Sequence, residues 1–319
     1  MKFLAIGDVH IKNSTIDIAY ALLQEIIKSI KEYKPDYTVI LGDLADTHGI
    51  MHLQAWNAIL DFIKQISDIS NLIYVVGNHD MLNNQQFMNN NHWFHVFNIF
   101  QQDNIKVVDK PFLFKDILFV PYVYNGRFYE AIKGFNNIKA IFCHQEFLGC
   151  KYGFVESVTG DPPPGIPVFS GHIHDRQNMY IGSPIDTSFV APVDRYIDLI
   201  TIDDDISSQS ILIQNVPRKI VFNTTANNFN NENFVFSDKN LYKIIVSGTQ
   251  GEILSVKQSN LYQDILKNQN VKIVFKATDI KQIKKVSSSS NSFSNILHEK
   301  VQQENKSVQD VFVSNKEKM

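Results

Sequence analysis

The chain has 319 residues, more than one ordinary small domain needs, which predicts one large domain with a smaller part, or two domains. Hydrophobic residues make up 44% of the chain and charged residues 20%, and this globular balance excludes a protein that is disordered throughout. The 30 Lys and Arg against 33 Asp and Glu give a net charge of −3, which excludes the globally basic character of a small nucleic-acid-binding protein but not a local basic surface.

Cysteine content and hydropathy predict a cytoplasmic protein that does not enter a membrane. Cys143 and Cys150 are too few to cross-link a chain of this length, as expected in a reducing compartment. No apolar run approaches the roughly 18 residues that a membrane helix needs. The amino-terminal apolar run becomes polar at Gly7 and Asp8, too soon for a signal peptide.

The first 205 residues repeat one pattern, in which a short apolar run is followed at once by a polar cluster. The runs are rich in Ile, Val, Phe and Tyr, and their near-continuous hydrophobicity is typical of strands covered on both faces. The runs cover residues 2–6, 37–41, 72–76, 140–143 and 167–170, and the clusters after them begin at Gly7, Gly42, Gly77, His144 and Gly171.

Helical patterns separate the first three of these runs. Apolar residues recur at helical spacing over residues 15–33, and Pro35 follows as a common helix stop. Residues 52–69 repeat the pattern, whereas the Asn- and Gln-rich residues 81–95 predict a loop that enters a short helix. The alternation of strand and helix predicts an α/β fold built on a layered sheet.

The polar clusters supply side chains that bind metal ions. In open α/β sheets ligands lie beyond the carboxyl ends of the strands, so the clusters are expected to meet at one edge of a largely parallel sheet. Two carboxylates, one amide oxygen and four imidazoles suit first-row divalent ions such as manganese, iron or zinc. Seven donors are more than one ion takes while keeping an open position, and they fit two ions that share a bridging carboxylate. The seven residues are Asp8, His10, Asp43, Asn78, His144, His172 and His174.

Each cluster alone has an ordinary structural explanation. A single Asp-x-His is usually structural, Gly-Asp or Gly-Asn after a strand is often a turn, and His144 alone could be a hydrogen-bonded core histidine. The pair His172 and His174 is more specific, because the i, i+2 spacing in extended chain puts both imidazoles on one side. Five such clusters in this order are hard to explain as independent structural features.

In this order the clusters resemble the five motifs of the calcineurin-like metallophosphoesterases. The resemblance covers about residues 1–200 and implies a four-layer α/β/β/α sandwich, predicted here for residues 1–205, with a two-metal centre. It also implies that the seven donors bind metal, that Asp43 is the bridge, and that His79 acts on the substrate phosphate. The matching segments are Gly7-Asp8-Val9-His10, Gly42-Asp43-Leu44-Ala45-Asp46, Gly77-Asn78-His79-Asp80, His144 and Gly171-His172-Ile173-His174.

Further residues are candidates for catalysis and substrate binding. A phosphodiester needs a proton for its departing alkoxide, and histidine is the natural donor, which assigns the general acid to His79. Asp46 resembles the family's carboxylate that orients this histidine, while Asp80 is expected to be a structural loop carboxylate. Arg176 and His48 are candidates for contact with phosphate, although a solvated loop histidine is the simpler interpretation of His48.

The rest of the chain predicts a smaller region and a tail. Strand-like runs at residues 241–247 and 271–277 flank a possible helix around 259–267, which predicts a small α+β domain over residues 215–285. Lysines over residues 271–286 suit binding to a phosphate backbone, or simply solvate a surface. Residues 286–319 predict a Ser-rich linker and a partner-docking helix, or a segment that packs on its own domain or stays disordered. The lysines are Lys272, Lys276, Lys281, Lys284 and Lys285, and the apolar stripe of the tail is Phe293, Ile296, Leu297 and Val301.

The choice of substrate depends on a narrower resemblance. Tyr180-Ile181-Gly182-Ser183-Pro184 resembles the Tyr-x-Gly-Ser-Pro segment of SbcD-type nucleases, the bacterial and phage counterparts of the double-strand-break repair nuclease. Thr47 stands where phosphoprotein phosphatases of this type have Arg, which counts against a phosphoprotein substrate.

The narrower resemblance implies a manganese-dependent DNA exonuclease or endonuclease in recombination, repair or replication. Such an enzyme has a capping domain that contacts DNA, here placed at residues 215–285, and it works with an SbcC-type coiled-coil ATPase, as a homodimer within a heterotetramer. The alternatives are a stand-alone phosphodiesterase or phosphatase for nucleotides or small phosphoesters, and a catalytically silent scaffold. The richness in Asn, Ile and Lys suggests an AT-rich genome such as that of a phage or other virus, for which the compartment is the host cytoplasm.

Overall fold

The computed structural model describes residues 1–100, 102–189 and 193–278 and has a mixed α/β fold. The strands are β1 (Lys2–Ile6), β2 (Tyr37–Ile40), β3 (Asn71–Val75), β4 (Ile105–Val108), β5 (Phe112–Phe114), β6 (Ile117–Val120), β7 (Ala140–His144), β8 (Lys151–Tyr152), β9 (Val155–Glu156), β10 (Val168–Gly171), β11 (Tyr196–Ile202), β12 (Ile206–Leu212), β13 (Lys219–Thr225), β14 (Leu241–Gly248) and β15 (Val271–Ala277). The helices are α1 (Ile16–Tyr33), α2 (Leu53–Ser67), α3 (His95–Phe100), α4 (Phe128–Ala131), α5 (Gln250–Gln258) and α6 (Asn260–Ile265).

The two long helices form where the sequence predicts them. α1 buries an apolar stripe that includes Leu22 and Ile26, and it ends at Lys34, whose backbone N–H donates to the Ile30 carbonyl. Lys34 has a φ of 46°, a left-handed conformation that suits the end of a helix, and Pro35 prevents the helix from continuing. α2 covers most of residues 52–69, and α3 is the short helix expected after the Asn- and Gln-rich loop.

The first large sheet has six strands in the order β12-β11-β1-β2-β3-β4. Strands β1 to β4 are parallel, and β11 runs antiparallel beside β1. In the register of β1 and β2, Ile6 pairs with Ile40, and Ile40 pairs in turn with Tyr74 of β3. The carboxyl ends of these strands are therefore level, which brings the first three polar clusters side by side.

The second large sheet has four strands in the order β10-β7-β6-β5, and it carries the other two clusters. Its strands β6, β7 and β10 are parallel, with Gly171 opposite His144. The expectation that all five clusters lie at the edge of one sheet is therefore wrong, because three of them follow strands of the first sheet and two follow strands of the second.

Apolar clusters fill the spaces between the elements. One contains residues of both large sheets, and the ring of Phe3 lies 5.2 Å from that of Phe142 and 6.3 Å from that of Phe119. Another joins the first sheet to α1 and α2, and a third joins the second sheet to α4. Close packing on both faces fixes the two sheets and hence the loops at their ends.

The region after β12 contains a three-stranded sheet in the order β13-β14-β15. The predicted strands at residues 241–247 and 271–277 are present as β14 and β15, and the predicted helix around 259–267 is present as α6, which follows an unpredicted helix, α5. Thr249 and Glu252 form a reciprocal cap at the start of α5. The predicted boundaries of a domain over residues 215–285 stay a prediction.

Residue contacts divide the chain into two compact units. The first contains Met1–Asn223, Asn233–Ile245 and Asp264–Val274, and it holds both large sheets. The second contains Thr224–Glu232, Val246–Gln263 and the described residues from Phe275 onward, and it holds α5.

The described residues end at position 278, so several sequence predictions lie outside them. These are the lysines Lys281, Lys284 and Lys285, the Ser-rich linker and the amphipathic tail segment. Among the helices of the described ranges, none is long and apolar enough to cross a membrane.

Candidate metal centre

The predicted ligand residues lie on loops that leave the strands abruptly. His10, Asp43 and His172 have φ angles of 52°, 51° and 81°, in the left-handed region that residues other than glycine rarely adopt. Such strain persists only where the surroundings enforce it, and it concentrates at functional sites. Three strained positions among seven predicted ligands mark these loops as a site.

The first group of donors consists of Asp8, His10 and His174, whose candidate ligand atoms lie within 4.8 Å of one another. His10 Nε2 and His174 Nε2 are 2.9 Å apart. Asp8 is fully buried, and its Oδ1 accepts a hydrogen bond from the backbone N–H of His172. Its Oδ2 has no hydrogen-bond partner among the described residues, so this oxygen is available to a cation.

The second group consists of Asp43, His144 and His172, and Asn78 lies against it. The amide oxygen of Asn78 is 2.9 Å from His144 Nε2 and 3.0 Å from His172 Nδ1. On the far side of its ring, His144 Nδ1–H donates to the Leu41 carbonyl at 2.6 Å. This hydrogen bond fixes the tautomer that leaves Nε2 free to bind a metal.

One carboxylate oxygen lies between the two groups. Asp43 Oδ2 is 3.7 Å from His10 Nε2 in the first group and 3.3 Å from His144 Nε2 in the second. The other oxygen, Oδ1, accepts a hydrogen bond from the backbone N–H of His79 at 2.8 Å. This is the position that a bridging ligand of two ions requires.

The protonation states suit cations. Burial lowers the pKa of both His10 and His172 to about 4, so these rings are neutral at pH 7 and offer lone pairs. Burial raises the pKa of Asp43, but His144 and then His10 outweigh it and keep this carboxyl ionised. Burial lowers the pKa of His144, yet Asp43 outweighs it and raises the value to about 9. The chain thus favours positive charge beside Asp43, as a proton or as a metal ion.

Two glycines make the close approach of the loops possible. A Cβ on Gly77 would overlap the carboxylate of Asp43, and a Cβ on Gly171 would overlap the Leu41 carbonyl that holds His144. These glycines leave room for the ligand loops to meet. Together with the donor set and the unpartnered oxygen of Asp8, this arrangement fits a pair of divalent ions.

Asp80 is buried below the ligand loops and stabilises them, as the sequence predicted. Its Oδ2 accepts three hydrogen bonds, and its Oδ1 accepts one. The donors are Tyr74 Oη at 2.7 Å, the backbone N–H of Gly77 at 2.8 Å and of Asp43 at 3.0 Å, and on Oδ1 the N–H of Ala45 at 3.2 Å.

We expect Asp80→Asn to lower the free energy of unfolding by about 2–3 kcal/mol, because the amide must turn its NH2 group toward at least one of these donors. Urea denaturation followed by circular dichroism measures the change. Asp116→Asn, at an exposed position, is the control and should stay within about 0.5 kcal/mol of the wild type. Equal stability of the two variants would contradict the assignment.

The contact between His79 and Asp46 differs from the prediction. His79 Nδ1–H donates to the backbone carbonyl of Asp46 at 2.8 Å. The Asp46 carboxylate instead accepts from Lys12 Nζ at 2.9 Å and lies 3.6 Å from His10 Nδ1. The predicted orientation of His79 by the Asp46 side chain is therefore corrected, since the main chain of the same residue holds the ring.

The two candidates for phosphate contact have different surroundings. The ring of His48 stacks on that of His79 with centroids 4.7 Å apart, so His48 borders the site. The guanidinium of Arg176 is held by Asp198 at 2.9 Å and by Ser210 Oγ at 2.7 Å. An arginine engaged in this way is not free to bind phosphate, so the geometry argues against that role.

Several residues near the centre were missed from the sequence. Lys219 Nζ lies 3.5 Å from the carbonyl of Thr187, whose hydroxyl contacts His174 Nδ1 at 3.1 Å. Burial lowers the pKa of the Lys219 ammonium group, and the positive charge of Lys12 lowers it further. Tyr152 Oη lies 2.9 Å from His172 Nε2. Among these residues, only Lys12 had a sequence signal, because it lies two residues after the first motif.

Comparisons with known proteins agree with this geometry. The model of the calcineurin-like phosphoesterase family matches residues 1–197. The chain is 30% identical over 323 residues to Putative phosphoesterase 078R of Invertebrate iridescent virus 3, covering 95% of this chain and 92% of that protein. It is 31% identical over 280 residues to Putative phosphoesterase 244L of Invertebrate iridescent virus 6, covering 82% of this chain and 98% of that protein.

Proposed function

The chain belongs to the calcineurin-like phosphoesterase family, and from this premise we propose that it is a two-metal DNA nuclease of the SbcD type. It hydrolyses phosphodiesters as an exonuclease or endonuclease in recombination, repair or replication. Its first 205 residues form the four-layer α/β/β/α sandwich, and residues 215–285 form a capping domain. The two cations are manganese, which suits a donor set of carboxylate, amide and imidazole without thiolate.

Each group of donors holds one ion in this proposal. Asp8, His10 and His174 would hold the first, Asn78, His144 and His172 would hold the second, and Asp43 would contribute to both. When bound, such ions supply positive charge that orients a phosphate, acidifies a water and neutralises developing negative charge.

His79 supplies the proton for the leaving group. Its Nδ1–H is committed to the Asp46 carbonyl, so the imidazolium form carries its second proton on Nε2. Transfer of that proton to the departing 3′ or 5′ oxygen leaves an alcohol and a neutral imidazole. Lys12 Nζ donates one hydrogen bond to Asp46 and keeps further N–H groups, so it and Lys219 suit the flanking phosphates of a polynucleotide.

One observation favours a polynucleotide over a small phosphoester. The hairpin of β8 and β9 lies beside the second group of donors, because its Tyr152 contacts His172. At its turn Phe154 is fully exposed, and the adjacent Val155 is 68% exposed. An exposed aromatic ring next to a phosphate site offers a surface on which a base can stack, and a small phosphoester has no need of it.

We expect Phe154→Ala to weaken DNA binding about tenfold, because a base stacked on an aromatic ring contributes about 1–3 kcal/mol. The KM for DNA should rise, while the KM for bis(p-nitrophenyl) phosphate should not change. Phe100→Ala, which removes an exposed ring at the end of α3, is the matched control and should behave as wild type for both substrates. An equal loss on the small substrate would show that the hairpin supports the centre instead of binding DNA.

The proposal is tested by the degradation of linear duplex DNA with manganese, measured beside cyclic nucleotides and bis(p-nitrophenyl) phosphate. Cleavage of DNA that EDTA abolishes is the expected result. Turnover of the small substrates without DNA cleavage would overturn the nuclease assignment in favour of a stand-alone phosphodiesterase. Bound metal without turnover of any substrate would indicate a scaffold.

The partner of the nuclease is an SbcC-type coiled-coil ATPase, to which residues 286–319 dock while the nuclease forms a homodimer. This part of the proposal comes from the family resemblance and from the amphipathic pattern of the tail. Co-purification with a candidate ATPase, for the full chain and for a chain that ends at residue 285, tests it. We expect the full chain alone to retain the ATPase and to show nuclease activity that responds to ATP.

A further inference from the structure

A separate cluster of side chains that could bind a metal ion lies outside the two-metal centre. It consists of His92, His95 and Asp109, whose candidate ligand atoms lie within 4.8 Å of one another. It shares no residue with the two-metal centre. We propose that these three side chains bind a structural zinc ion that fastens the Asn- and Gln-rich loop to the first large sheet.

The two imidazoles carry the strongest evidence. The Nδ1 atoms of both His92 and His95 are buried and have no hydrogen-bond partner among the described residues. The side chain of His92 has no exposed surface. A buried polar atom without a partner costs about 1–3 kcal/mol, so the free Nδ1 of His95 needs an explanation, and a cation held together with His92 and Asp109 gives one.

The other nitrogen of each ring is held by a protein group. His92 Nε2 lies 3.4 Å from Asp109 Oδ2, and His95 Nε2 lies 3.4 Å from the side-chain nitrogen of Asn90. Zinc bonds of about 2.0–2.1 Å in tetrahedral geometry place two ligand atoms about 3.4 Å apart, so His92 Nε2 and Asp109 Oδ2 are spaced as two ligands of one ion, and His95 supplies the third donor. A histidine that only anchors a loop does not require a vacant second nitrogen.

Asp109 completes the donor set. Burial raises the pKa of its carboxyl group, but the contact with His92 outweighs burial and lowers it, so Asp109 is ionised at neutral pH. Asn98 donates a second hydrogen bond to Oδ2 at 2.9 Å and orients the group. Two imidazoles and one carboxylate without thiolate suit zinc, with water as a fourth ligand.

Chain topology explains why these residues meet. Asp109 directly follows β4, which pairs in parallel with β3 so that Val108 lies opposite Val75. His92 is bridged to Met81 in the loop that follows the third motif, and His95 begins α3. The group therefore stands at the same edge of the first sheet as the three ligand loops, one strand further along.

Binding of zinc would stabilise the surroundings of the active site. Between the two histidines, the backbone N–H of Trp93 donates to the Asp80 carbonyl at 3.0 Å, and its indole N–H donates to the Thr47 carbonyl at 3.3 Å. The loop fastened by the ion thus supports the second and third motifs. Its role is structural and requires no part in the chemistry.

Zinc content measured by mass spectrometry after equilibrium dialysis tests the proposal. The wild type should hold one more zinc per chain than His92→Phe or the near-isosteric Asp109→Asn, and added zinc should raise the Tm of the wild type more than that of either variant. His52→Ala, which removes an exposed histidine before α2, is the control and should match the wild type. Equal zinc content in folded wild type and variants would overturn the proposal.

A crystal of the wild-type chain grown with zinc gives a test that does not depend on the folding of a variant. An anomalous peak between His92, His95 and Asp109 is the expected result, and a map with density only at the two-metal centre would refute the site. Neither readout involves turnover, so failure of this proposal and failure of the nuclease assignment are separate results.

Discussion

Replacement of His79 by alanine is expected to lower kcat for DNA hydrolysis by about 10²–10⁴-fold, the usual contribution of a general acid. The metal content should stay at the wild-type level, because the seven other donors remain in place. The backbone N–H of His79, which donates to Asp43 Oδ1, is also unaffected by the change. Loss of activity with both ions retained is the signature of a group that acts on the substrate.

The leaving group separates catalysis from a structural effect. Nitrophenolate departs without a proton, whereas the alkoxide of DNA needs one, so His79→Ala should affect bis(p-nitrophenyl) phosphate far less than DNA. His48→Ala removes the ring that stacks on His79 and is the matched control, with an expected effect of less than about tenfold, because a ring pair contributes about 0.5–1.5 kcal/mol. Equal losses on both substrates would contradict the assignment of His79 as the proton donor.

The candidate centre could be located from the sequence because its residues follow strands directly. Asp8, Asp43 and Asn78 lie just beyond apolar runs, and level strand ends place such residues together whatever the details of packing. Continuous apolar runs also indicate strands covered on both faces, as β1, β2 and β7 are. The division of the clusters between two sheets could not be predicted from the residues alone, because β7 and β10 have the same local pattern as β1 and β2.

Contacts between side chains that are far apart in the sequence could not be predicted from sequence patterns. Arg176 lies two residues after His174, but its partner Asp198 lies 22 residues further along the chain. Asp46 has the expected position in its motif, yet its carboxylate accepts a hydrogen bond from Lys12. His79 donates to the backbone carbonyl of Asp46 instead. Lys219 comes near the centre only because β13 begins there. Each outcome depends on tertiary packing, which overrides local spacing.

The group of His92, His95 and Asp109 cannot be found from sequence spacing, for a related reason. His92 and His95 lie where the sequence predicts a polar loop entering a short helix, and Asp109 follows a strand without the glycine that begins four of the five clusters. Their proximity appears only when β4 is paired with β3. Spacing identifies ligands when all come from recognisable turns, but it fails when one ligand is an isolated carboxylate.

Asp43→Asn is expected to produce the largest loss of activity of any single change. Its Oδ2 lies within 3.7 Å of imidazoles from both groups of donors, and the substitution places an amide there that can neither carry charge nor bridge two cations. The carboxyl is ionised in the native chain, so the change removes a full negative charge from a buried site. Bound cations contribute several kcal/mol of transition-state stabilisation, which corresponds to a loss in kcat/KM of about 10³-fold or more.

Metal content shows whether this loss has the expected origin. Asp43→Asn should retain fewer manganese ions per chain than the wild type after dialysis, and higher manganese concentrations should restore only part of its activity. Asp46→Asn is the matched control in the same loop, because the Asp46 carboxylate binds Lys12 and lies only 3.6 Å from a single imidazole nitrogen. It should keep both ions. If Asp43→Asn also kept both ions and full activity, Asp43 would not be the bridge, and the two groups of donors would have to act as separate sites.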